Sequence, residues 1–94
     1  MKIKVFQFAV KDGNVQENLD KVASLFHSKD LSNTDVVVLP EMWTSGYDLP
    51  NIHDYADNNL EPTFSFLSEL AKQYEVNIVA GSVPNIKNGN GVYN

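Results

Sequence analysis

The chain has 94 residues, 43% of them hydrophobic, with a net charge of −5, seven lysines, no arginine and no cysteine. A chain of this size makes at most one small domain, burying only about 60–65% of its unfolded surface. Scattered lysines on an acidic chain argue against nucleic acid and acidic membranes as partners, and the missing thiols rule out disulfides and thiolate metal sites within it.

The first residues, MKIKVFQFAVKDG, carry a short apolar run broken by Gln7 and lack a small-residue cleavage site. They read as a strand over residues 2–10 and not as a signal peptide. No apolar run approaches the roughly 20 residues of a membrane span, so the expected compartment is the cytoplasm. Asp12-Gly13 marks a turn. Asn14, three positions before Glu17, then opens a helix in the manner of a capping box. Val15, Leu19, Val22, Ala23 and Phe26 recur on one helical face, predicting a helix over residues 15–28.

Val36, Val37, Val38 and Leu39 form a second strand, apolar on both pleat faces as in a parallel sheet covered on both sides. Pro40 lacks an amide hydrogen and ends its ladder. A long polar loop is expected from Met42 to about Glu61, and loops of this length are usually functional or disordered. Pro62 suits the first turn of a second helix, over residues 62–75, with Phe66, Leu67, Leu70, Ala71 and Tyr74 at helical spacing. Residues 76–83, VNIVAGSV, read as a third strand. The Asn-Gly pairs of residues 87–91 predict a hairpin turn into a fourth strand at residues 92–94. The fold class is therefore α/β in the order β-α-β-α-β-β, with parallel strands joined by helical crossovers.

Glu41 is the leading candidate for chemistry. It follows the C-terminal end of a parallel strand, where open α/β sheets place their ligands. With strand geometry continued through Pro40, it shares a face with Val37 and Leu39. Such apolar neighbours would desolvate it and raise its pKa, as a general base requires. A solvated glutamate at a loop start fits the same residues. Gln7, inside an apolar strand, reads as a satisfied buried amide or a ligand contact. Trp43 and Tyr47 read as walls of a small pocket or as packing for the loop. Asp48, His53, Asp54 and Asp57 match neither the HExxH pattern nor a calcium loop, and a solvated acidic loop accounts for them. No metal is expected. His27 suits the negative end of the first helix.

Taken together, KVFQFAV, NVQENLDK, VVLPEMWTSGYD, FLSELAKQYEVNIVAGSV and the final GVYN resemble the nitrilase superfamily of carbon–nitrogen hydrolases, along the whole chain and in order. The branch most resembled is that of the ω-amidase-like enzymes. The resemblance implies an α-β-β-α sandwich and a Glu-Lys-Cys catalytic set, with Glu41 matching the glutamate as general base. It implies hydrolysis of small aliphatic amides through a thioester, no cofactor, and a possible homodimer. The family's lysine and cysteine motifs have no match here; Lys72 and Lys87 do not lie in the lysine motif.

The expectation is thus an N-terminal part, residues 1–94, of a single larger hydrolase domain, truncated in its fourth strand and inactive alone for want of a thiol. Two right-handed crossovers running in one direction put both helices on one sheet face. The opposite face would leave about nine apolar side chains bare, more than a small domain's net stability tolerates. The alternative is a non-catalytic α/β binding or regulatory module.

Overall fold

The structure is a computed structural model that describes residues 1–86 and the backbone of residues 92–93. Strand β1 (Ile3–Val5), helix α1 (Val15–Ser28) and strand β2 (Val36–Val38) come first. A 3-10 turn (Leu49–Asn51), helix α2 (Ile52–Tyr55) and strand β3 (Asp57–Asn58) follow. Helix α3 (Thr63–Tyr74) and strands β4 (Asn77–Val79), β5 (Asn85–Ile86) and β6 (Val92–Tyr93) complete the order.

Helix α1 begins and ends where its local signals place it. The Asn14 side chain accepts a hydrogen bond from the Glu17 amide at 3.0 Å, satisfying one of the donors that a helix start leaves unpaired. Leu19, Val22 and Phe26 line its buried face. Helix α3 is held at its start by Glu61, whose carboxylate accepts from both the amide and the hydroxyl of Ser65. Leu67 and Leu70 form its buried face.

The main sheet is parallel in the order β1-β2-β4, with Lys4, Val37 and Ile78 in register across it. Both long helices cover one face. Phe6, Val37, Leu39, Trp43 and Val76 join the buried faces of α1 and α3 in a single core. The Phe6 and Phe26 rings meet edge-on with centroids 5.2 Å apart, a favoured aromatic geometry. Full burial of Phe26, Val22 and Val37 contributes about 1.5–3 kcal/mol for each side chain.

The opposite face carries Ile3, Val5 and Val79, exposed by 56%, 59% and 53%, with Val36 and Val38 half-buried between them. The expected bare face is there, but with these five apolar side chains instead of nine. Among the described residues one helical layer thus covers one face of a parallel β layer, the α/β class expected.

Several expected elements change. The first strand is three residues long and not nine: the Phe6 amide still reaches the Val38 carbonyl at 2.9 Å, and then β2 gives way to Pro40, leaving no neighbour to pair with. Gln7, expected to be buried, is exposed, on the same side of the pleat as Ile3 and Val5. The loop after Met42 is not structureless, since α2 and β3 lie in it. Strand β3 pairs with β5 in parallel, and β5 pairs with β6 antiparallel, in a small second sheet. The hairpin partner of β6 is therefore β5, not β4; the turn at 87–91 and Asn94 lie outside the described residues. No helix among those described is long and apolar enough to cross a membrane.

Candidate active site

Residues 41–47 follow β2 as a tight, mostly buried turn whose two polar ends are exposed. Met42, Trp43, Thr44, Ser45 and Gly46 are buried, while Glu41 and Tyr47 face out. The Gly46 amide closes the turn on the Met42 carbonyl at 2.8 Å. This closure carries Tyr47 back to Glu41, and the Tyr47 hydroxyl donates to Glu41 Oε2 at 3.0 Å. Residues six apart in sequence thus meet.

Two neighbouring segments hold this turn. From the β4 side, the Ala80 carbonyl accepts from the Trp43 indole at 2.9 Å, and Ser82 Oγ accepts from the Met42 amide at 3.0 Å. Gly81 lies between them with φ of 63°, against the backbone of Leu39 and Pro40. From the side where β1 leads to α1, the Gly13 amide donates to the Ser45 carbonyl at 2.8 Å. Asp12 Oδ1 accepts from the Tyr47 amide at 3.3 Å. Asn18, only 2% exposed, bridges the two segments. Its Oδ1 accepts from the Lys11 amide, and its Nδ2 donates to the carbonyls of Lys11 and Thr44, each at 2.8 Å.

This geometry corrects one expectation, at Glu41, and decides between the two readings of Trp43 in favour of packing. Glu41 is exposed, not shielded by Val37 and Leu39, because Pro40 turns the chain out of the sheet before Glu41 is reached. Val37 and Leu39 instead face the helical core. Trp43 is not a pocket wall: it is fully buried and packs 6.3 Å from the Phe66 ring. The indole beside the carboxylate points inward, and the carboxylate points out. Tyr47 remains at the surface beside it. Its hydrogen bond to Glu41 is the first cause of a raised phenol pKa, followed by desolvation and the Glu41 charge.

The acidic loop also divides. Asp48 accepts from the Tyr55 hydroxyl at 3.0 Å and from Asn51, and His53 and Asp54 are exposed. Asp57, expected to be solvated, is only 2% exposed. It lines a groove of about 340 Å³ with Leu60, Phe64, Leu67 and Ile78, a groove to which Glu41 and Tyr47 do not contribute. His27 meets the Tyr74 hydroxyl through Nδ1. Among the described residues no three His, Asp or Glu side chains cluster as a metal site would need.

Asn18, Asp12, Gly81 and Ser82 are site-forming residues that pattern reading passes over. Two of them leave a trace. Asn18 is a polar residue beside Leu19 on the buried face of α1, and an isolated glycine in a strand-like run, as at Gly81, marks a close backbone approach.

A parallel sheet with a firmly held polar turn at its carboxyl end defines an α/β protein of the kind that places its ligands at strand ends. The sequence model of the carbon-nitrogen hydrolase family matches residues 2–94, and the chain belongs to that family. It is 45% identical to the "Hydrolase in agr operon" of Staphylococcus aureus, across all of this chain and 36% of that protein. It is also 45% identical to the "2-oxoglutaramate amidase" of Bacillus subtilis (strain 168), across 98% of this chain and 35% of that one. The chain thus spans about a third of the length of the curated relatives it matches.

Among solved structures, it superimposes with a TM-score of 0.83 on XC1258 from Xanthomonas campestris, a CN-hydrolase superfamily protein with an arsenic adduct in its active site. That match is 28% identical and covers 98% of this chain and 33% of the other. Nit3 of Saccharomyces cerevisiae, with a TM-score of 0.79 and 24% identity over 94% of this chain and 35% of that one, shares the fold.

Proposed function

We propose that these residues are the part of a carbon–nitrogen hydrolase that supplies its general base, Glu41, for cleaving small aliphatic amides. The observation that carries this reading is the held turn: the backbone on both sides of Glu41 is fixed, yet its carboxylate stays accessible. A base must meet its proton donor at about 2.6–3.2 Å, so positional control comes before pKa.

No thiol lies within the 94 residues and neither Lys72 nor Lys87 lies in the family's lysine motif, so in this reading the cysteine and lysine of a Glu-Lys-Cys set come from elsewhere in the complete protein. In that mechanism Glu41 takes the thiol proton and the thiolate attacks the amide carbon. The lysine stabilises the charge that develops on the substrate oxygen. The proton passes to the departing ammonia, and Glu41 then activates the water that cleaves the thioester. The exclusion of water from Glu41 also falls to the rest of the protein. The 94-residue chain alone hydrolyses no amide.

The test is Glu41→Gln in the complete enzyme with a small linear amide as substrate. Turnover falls by about 10²–10⁴-fold, or roughly 3–5 kcal/mol of barrier. A rate within twofold of the parent removes Glu41 from the mechanism and favours a non-catalytic binding module.

A further inference from the structure

We propose that Tyr47 is a positioning residue for Glu41, holding one carboxylate oxygen so that the other is presented to the proton donor. The inference rests on the reading of Glu41 as general base. An exposed glutamate with three rotatable side-chain bonds spreads over many rotamers. Here one oxygen, Oε2, accepts from the Tyr47 hydroxyl at 3.0 Å, while Oε1 accepts no hydrogen bond among the described residues. The free oxygen is the one that can take a proton.

Tyr47 is equipped to give this direction because its own backbone is anchored. Its amide is held by Asp12, and the preceding residue, Gly46, closes the turn on Met42. A β-carbon at Gly46 would come within 1.9 Å of Asp12 Oδ1, so the glycine is what lets the Asp12 carboxylate approach. Met42, directly after Glu41, is fixed by Ser82 from the far side. Both ends of the Glu41–Tyr47 hydrogen bond are therefore tied to elements of the main fold. With the second oxygen engaged, a proton leaving the thiol sulfur bonds to Oε1, and from there it passes to the leaving nitrogen.

The exposed position makes a clean test possible, since Tyr47→Phe keeps the ring and breaks only the hydroxyl contact. In the complete enzyme this variant keeps the parent's melting temperature and its KM within twofold, while kcat falls by about five- to twentyfold. A second readout does not depend on activity. The absorbance titration assigned to Tyr47, by difference from Tyr47→Phe, moves to lower pH in Glu41→Gln, because a neutral amide no longer opposes the phenolate. A Tyr47→Phe enzyme with the parent's kcat, alongside a crippled Glu41→Gln enzyme, overturns the role of Tyr47 and leaves the base in place. An unmoved Tyr47 titration in Glu41→Gln overturns the pairing itself. A Glu41→Gln enzyme at full rate brings down the reading of the base, and this inference with it.

Discussion

Gly81 lies against Pro40: a β-carbon on Gly81 would stand 2.1 Å from the Pro40 carbonyl oxygen and 2.7 Å from that of Leu39. Both obstacles are backbone, and φ at Gly81 is 63°, where an L side chain costs about 1–2 kcal/mol before any clash. Gly81→Ala is therefore expected to lose at least about 2 kcal/mol in urea unfolding of the complete protein. Because Pro40 immediately precedes Glu41, turnover should fall even at temperatures where circular dichroism shows the variant folded. Parental stability and rate together would mean that the contact of Gly81 with Pro40 does not hold the turn.

Asn18 joins the start of α1 to the Glu41 turn through three hydrogen bonds of 2.8 Å. Asn18→Leu fills much the same volume but leaves the Lys11 amide and the Thr44 carbonyl without their partner. The expected cost is about 1–3 kcal/mol, read from the urea midpoint at unchanged m-value. A midpoint equal to the parent's would show that these groups find other partners.

Asp57 gives a pH dependence of defined sign. Burial raises its pKa above the ordinary 3.8, the charge of Glu61 adds to the rise, and the neighbouring polar groups of Thr63 oppose it. Its Oδ2 is buried without a partner among the described residues. The folded state then holds its proton more tightly than the unfolded state, so stability falls as pH rises from 3.8 through the raised value, and the deficit persists above it. Asp57→Asn should accordingly be more stable than the parent at neutral pH, with the difference vanishing below the ordinary carboxylate pKa. Urea midpoints across the acid range decide it; a difference independent of pH would assign the effect to packing alone.

The bare sheet face predicts the behaviour of the isolated segment. Ile3, Val5 and Val79 present contiguous apolar surface on a sheet face that no described residue covers, the arrangement that drives association. Residues 1–94 made alone should sediment as oligomers and bind a hydrophobic dye. Val5→Thr with Val79→Thr should reduce the dye signal severalfold, since each removes exposed apolar area without touching the core. A monomeric chain with a cooperative unfolding transition would show that this face needs no cover.

The sequence by itself determined the two long helices, the parallel arrangement and the position of the acid. Helix limits are written in neighbouring residues: Asn14 caps, and Leu19, Val22 and Phe26 repeat at helical spacing, so no distant partner is needed to read them. Strands are shorter than their apolar runs because such a run shows propensity, whereas a strand exists only where a partner stands opposite. The first strand ends when β2 turns away, and β3 and β5 exist only through each other. Tertiary structure alone decided that Glu41 is exposed while Trp43 is buried, that Tyr47 folds back to the carboxylate, and that Asn18 and Gly81 hold the turn from two sides. Those relations join residues up to about forty positions apart, and a contact made by chain folding leaves no periodic trace along the chain.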